Sequence, residues 1–211
     1  MKYAVLILIV FCISPFCAGN ACAETIESAD IASAEATAAR SFYVLMIIPQ
    51  YNFVDDEYTI PKVILSRAGH TVEVASASTR EIALGTDIIK VRPNLTIDQI
   101  DTDKYGAVIF VGGYLSKKFY ENPILIEKTR QFQQKGKLIG AMDNIPYFLA
   151  QWGLLKDKKA TVNPSLAKAF VKMGANYVQK DIVIDEDLIT VNTASFSDAF
   201  ANEVVDELKK R

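Results

Sequence analysis

The stretch Gly140-Ala141-Met142-Asp143-Asn144-Ile145-Pro146 has the layout of a nucleophile elbow. An apolar strand ends, a sharp turn follows, and a helix opens with proline near its start. In such a turn one side chain projects into a cleft, and backbone N–H groups at the helix start can hold an anion. The residue at the turn is Asp143. It has a second reading, as a plain cap of the following helix, a role aspartate fills well. Asp55-Asp56-Glu57 places three acids at the start of another expected helix. Negative charge suits that end of a helix, and Glu57 can equally be solvated. Gly112-Gly113 follows a buried strand; glycines there either let backbone N–H groups approach a bound group closely or form an ordinary turn. His70 is the only histidine. It is expected in a surface turn between Gly69 and a strand, far from the elbow. No Ser-His, Cys-His or metal-ligand set can be assembled, and phosphate-loop and dinucleotide fingerprints are absent. Neither a metal nor a cofactor is expected.

The elements that must position these residues follow from hydrophobic patterning. Phe42 to Ile48 and Ala107 to Val111 are continuous apolar runs, as in strands buried on both faces. Thr71 to Ala75, Leu138 to Ala141, Ile182 to Ile184 and Leu188 to Val191 read as further strands, with a short one at Asp87 to Val91. Helices are expected over Asp55 to Arg67, with Pro61 in the first turns, and over Pro123 to Gln134, Ile145 to Trp152, Ser165 to Met173 and Phe196 to Lys210. Alternating strands and helices with apolar central strands predict a mostly parallel sheet covered by helices on both faces, a three-layer α/β/α sandwich. Ligands gather at the carboxyl ends of such strands. That directs attention to Pro49–Glu57, Gly112–Leu115 and Met142–Pro146. Tyr51, Tyr114, Tyr147 and Phe148 are aromatics placed either to line a pocket there or to fill the core.

The chain has 211 residues, half of them hydrophobic, and a formal net charge of -2. That balance fits one globular domain plus an extension and argues against a nucleic-acid or anionic-membrane partner, which would call for a basic face. The first 23 residues read as a cleavable signal peptide: Lys2, an apolar run from Ala4 to Phe16, and a small-x-small motif at Ala21-Cys22-Ala23. The run is short for a membrane span. A retained anchor, or a lipoprotein acylated at Cys22 or Cys17, ranks below cleavage, so no stable membrane insertion is expected and the location is periplasmic or secreted. The three cysteines, Cys12, Cys17 and Cys22, all precede the cut, which leaves the mature chain without thiols or disulfides. Residues 24–40 are rich in Ala, Ser, Thr and Glu and read as a flexible linker to a domain spanning 41–211.

From Tyr43 to Leu208 the order of motifs resembles the ThiJ/PfpI family, also called DJ-one/PfpI, of the class I glutamine amidotransferase-like superfamily. Phe53-Val54-Asp55-Asp56-Glu57-Tyr58-Thr59-Ile60-Pro61 resembles its acidic segment, Arg67-Ala68-Gly69-His70 and Val74-Ala75-Ser76 the next helix end and strand, Phe110-Val111-Gly112-Gly113 its glycine pair, and Trp152-Gly153-Leu154-Leu155-Lys156 the helix end after the elbow. The resemblance implies a flavodoxin-like fold, a homodimer, a functional glutamate at Glu57 and an oxyanion-type N–H at Gly112-Gly113. It also exposes departures. Where many members read Ala-Ile-Cys-His-Gly-Pro, this chain reads Ala141-Met142-Asp143-Asn144-Ile145-Pro146, and a histidine found further on in some members corresponds to Asn163. Thiolate and imidazole are both missing, so the protease, amidase and deglycase chemistry associated with that cysteine does not transfer.

What remains is a carboxyl pair, Glu57 and Asp143, which the resemblance brings into contact. Close carboxyls cannot both ionise cheaply, so one is expected to stay protonated near neutral pH. The preferred reading is a non-catalytic binding or stress-related protein in which Asp143 imitates an oxidised cysteine, with Gly112, Gly113, Asn144 and Asn163 around a small-molecule ligand. The alternative is a hydrolase or lyase using the Glu57/Asp143 dyad on a small molecule. A decayed site with Asp143 as a cap only is the third reading.

Overall fold

The computed structural model describes residues 40–113 and 117–211. The expected signal peptide, nearly all of the linker, Tyr114 and Leu115 lie outside them. In chain order the strands are β1 (Tyr43–Ile47), β2 (Tyr51–Phe53), β3 (Thr71–Ser76), β4 (Ala83–Gly85), β5 (Lys90–Val91), β6 (Leu95–Thr96), β7 (Tyr105–Phe110), β8 (Leu138–Met142), β9 (Lys159–Ala160), β10 (Asn176–Tyr177), β11 (Ile182–Asp185) and β12 (Leu188–Val191). Helices span Asp55–Arg67, Lys117–Tyr120, Pro123–Gln134, Ile145–Gln151, Ala167–Lys172 and Ser197–Lys209. Seven strands form the central sheet in the order β11-β12-β8-β7-β1-β3-β6. All its pairings are parallel except β11 with β12.

Side chains of a strand alternate between faces, and the core divides accordingly. Leu45, Ile47, Val108, Phe110, Ile139 and Ala141 pack on one side with Leu125 and Phe132 of helix Pro123–Gln134 and Leu149 of helix Ile145–Gln151. Val44, Met46, Ala107, Ile109, Leu138 and Met142 pack on the other with Leu65 of helix Asp55–Arg67 and with Phe200, Val204 and Leu208 of the closing helix. The chain is therefore a flavodoxin-like three-layer α/β/α sandwich. Gly140 is what lets the closing helix lie so close to β8: a Cβ there would stand 2.5 Å from the Phe200 ring. β1 lies between β3 and β7, so its neighbours lead the chain in opposite directions. The carboxyl ends of β1 and β7 form the switch-point crevice where ligands of such sheets bind.

Several local expectations are corrected. Residues 87–91 do not join the central sheet. β5 forms with β2 and β4 a separate three-stranded sheet, and Leu95–Thr96 is the central sheet's edge strand. Ile88 is 83% exposed, so its apolar character marked no buried strand. The segment 165–173 opens as a 3-10 turn, and its α-helix is only Ala167–Lys172. Pro61 sits in the second turn of its helix, where the missing N–H is no longer free of cost. Proline has no N–H to give four residues back, so the Glu57 carbonyl loses its helical donor. His70 is buried, not in a surface turn. The start of the domain packs over it: Nδ1 accepts from the Phe42 N–H at 3.2 Å, and the two rings lie 6.0 Å apart. Burial and nearby Lys209 hold its pKa below the usual value. Tyr51 is exposed, whereas Phe148 is core and stacks on Tyr120.

Candidate functional site

Three chain segments meet at the carboxyl edge of the sheet. The first turn of helix Asp55–Arg67 carries Glu57, the end of β7 runs into Gly112-Gly113, and the end of β8 runs into Asp143-Asn144. Asp143 has φ +54°, a left-handed conformation uncommon for a non-glycine residue. Two backbone bonds pin it there. Its N–H donates to the Val191 carbonyl at 2.9 Å, and its carbonyl accepts from the Asn163 N–H at 2.9 Å. The turn is an elbow in geometry as well as in sequence. Asp143 is not the cap of helix Ile145–Gln151; Asn144 holds that place and makes no side-chain cap bond.

The Asp143 side chain is half-buried and turns toward Asn163, whose Nδ2 donates to Oδ1 at 2.7 Å. Asn163 is fixed from its other end, because Oδ1 accepts from the Ser165 N–H at 3.0 Å and hydroxyl at 2.7 Å. The second oxygen of Asp143, Oδ2, has no hydrogen-bond partner among the described residues.

Glu57 is wholly buried. Its Oε2 accepts from the Gly112 N–H at 2.6 Å, while Oε1 has no partner. No hydrogen bond joins it to Asp143. Burial pushes the carboxyl up to about 8; the Gly112 N–H opposes this, and the negative charge of Asp143 adds to it. At pH 7 a group with that affinity holds its proton about nine-tenths of the time. Gly112 is needed here for room: a Cβ would stand 2.9 Å from Glu57 Oε2, 3.2 Å from Asn144 Oδ1 and 3.4 Å from Glu57 Oε1. Gly113 is enclosed by the Asn52 carbonyl, 2.6 Å from where its Cβ would be, and bridges Phe53.

The structure thus brings together Glu57, Gly112, Asn144, Asp143 and Asn163, with Gly113 beside them. Gly112 spends its N–H on Glu57 rather than presenting it to the cleft. Two contributors had been missed. The Tyr120 hydroxyl donates to the Val111 carbonyl next to Gly112; burial, with the charge of Glu57 adding, holds that phenol well above 10. Asn52, at φ +58°, turns β2 against Gly113. Asparagine tolerates that conformation, which was the one available signal; nothing in sequence marked Tyr120. Among the described residues, no three His, Cys, Asp or Glu side chains gather as metal ligands would.

Comparison with known proteins places this arrangement. The sequence model of the DJ-1/PfpI family matches residues 43–207. An uncharacterized protein of Methanocaldococcus jannaschii is 34% identical over 170 residues, covering 79% of this chain and 82% of its own. The deglycase PfpI of Pyrococcus furiosus is 24% identical over 78% of this chain and 99% of its own. The crystal structure of a ThiJ/PfpI domain protein from Brachyspira murdochii superposes with a TM-score of 0.76 at 23% identity, covering 80% of this chain and 97% of that one.

Proposed function

This chain belongs to the DJ-1/PfpI family, and we propose that it is an exported, non-catalytic member that binds a ligand through a permanent carboxylate. The observation that carries this reading is the state of the elbow. Its residue is Asp143, held by Asn163 and backed by a glutamic acid that keeps its proton near neutral pH. A protonated Glu57 cannot serve as the base that a hydrolytic second step would need. The one histidine sits at the opposite, amino end of the strands. Asp143 Oδ2 remains for a ligand that brings a hydrogen-bond donor or a positive charge. Because no thiol is involved, the site offers nothing to thiol oxidants or thiol-alkylating agents.

The mature protein, incubated with methylglyoxal-modified amino acids and with small esters, is expected to give no turnover above buffer. Turnover that disappears in Asp143→Asn would overturn the reading. It would support a second one, in which neutral Glu57 acts as acid and Asp143 as base on a small molecule; the separation of their environments is what favours that alternative. Export and pairing belong to the same proposal. Mass spectrometry of the secreted protein should find Glu24 at its N-terminus, and sedimentation should report a dimer. An intact first segment or a monomer at micromolar concentration would remove those parts.

A further inference from the structure

Two buried oxygens in the site lack partners, and both lie against Gly112. Glu57 Oε1 and Asn144 Oδ1 both accept nothing. Both crowd the same face of Gly112, at 3.4 and 3.2 Å from the position of a Cβ on that residue. Each of these acceptors has lost its hydration without replacement. Two donors close by are already committed. The Gly112 N–H serves Oε2, and the Tyr120 hydroxyl serves the Val111 carbonyl. One proton between the two oxygens satisfies both at once.

We infer that Asn144 is a positioning residue for Glu57: the acid carries its proton on Oε1 and donates it to the Asn144 side-chain carbonyl. The opposite arrangement rotates the amide, so that Nδ2 donates to an ionised Glu57; the two amide orientations fit the same space. The charges around the site decide between them. The one side-chain charge acting on Glu57 among the described residues is the negative charge of Asp143, and Tyr120, the other titratable group that faces it, is neutral. Both favour the neutral acid. The acid is thereby tied to the elbow helix through Asn144, while Asp143 is tied through Asn163 to the next loop. Each carboxyl is thus engaged by an amide of its own, which goes beyond the question of turnover and stands whether or not the site catalyses anything.

Infrared difference spectroscopy tests this on the mature protein at pH 7. A protonated-carboxyl band should be present in the wild type and missing in Glu57→Gln. In Asn144→Leu, which removes the acceptor and keeps the bulk, the band should move to higher frequency, as for a carboxyl O–H left without an acceptor. Absence of the band in wild type, or a band that Asn144→Leu leaves in place, overturns the inference. If Asn144→Leu does not fold, Glu57→Gln decides alone. Its amide can accept from Gly112 and donate to Asn144, so its Tm at pH 7 should lie within about 2 °C of wild type. A fall of more than roughly 5 °C overturns it.

Discussion

Raising the pH from 6 to 9 should weaken the fold through Glu57. In the unfolded chain this carboxyl has its ordinary value of 4.5, and in the folded protein it stands at about 8. Between those values the native state binds the extra proton, so stability falls as pH rises. The contribution is complete below about 4.5 and lost once the pH has passed through 8. At about 1.4 kcal/mol for each tenfold in proton affinity, the whole span is worth at most about 5 kcal/mol. Roughly 2.5–3 kcal/mol of it falls between pH 6 and 9. His70 acts in the opposite sense. Its lowered pKa adds stability present above the ordinary 6.5 and lost as pH falls. Urea denaturation at pH 6, 7.5 and 9, in wild type and in Glu57→Gln, separates the two, because both proteins keep His70. Wild type should lose that 2.5–3 kcal/mol relative to Glu57→Gln, whose amide does not titrate. Parallel pH profiles for the two proteins would refute both the burial argument and the neutral state of the acid.

Three further outcomes are expected. Gly112→Ala drives a methyl into Glu57 and Asn144; calorimetry should show a loss of about 1–3 kcal/mol, with a Tm drop of roughly 3–10 °C. Asn163→Ala removes the amide that holds the Asp143 carboxylate; a loss of about 1–3 kcal/mol in denaturant titrations is expected, with Asn163→Asp costing more because it sets two carboxylates together. Asp143→Cys places a thiol at the elbow with no imidazole beside it. Iodoacetamide should then label one residue of the mature chain, only at the slow rate of an unactivated thiol, while the wild-type mature chain takes no label.

Long apolar runs made the central sheet legible. Residues 42–48, 107–111 and 138–141 are hydrophobic throughout because both faces of those strands are covered, and no short-range feature competes with that signal. The side sheet was illegible for the converse reason. Its strands are two or three residues long, and its pairing is set by contacts from elsewhere, such as Asp55 on the N–H groups of Ile88 and Ile89. The site divides the same way. Position along the chain identified Asp143, and the resemblance identified Glu57 and Asn163. The hydrogen-bond partners of the two carboxyls were not legible: Asp143 is bound by Asn163 and Glu57 by Gly112. Which partner a side chain selects depends on rotamers packed from several segments, and spacing carries no record of that.

Asp55 sits two residues before Glu57, one of three acids at that helix start. Its carboxylate instead reaches across: Oδ2 takes the Ile88 and Ile89 N–H groups at 2.9 and 3.0 Å, and Oδ1 fills the place of a side chain on Gly85, 1.7 Å from where a Cβ would be. Positions 55 and 85 therefore make one choice between them. A methyl at 85 has nowhere to go while the aspartate remains, and a small residue at 55 leaves a gap and two N–H groups without their acceptor. A lineage drifting away from this arrangement must change both together. The turn that carries Glu57 is fastened to the side sheet by that joint restriction, which limits how far the neighbourhood of the altered elbow can diverge.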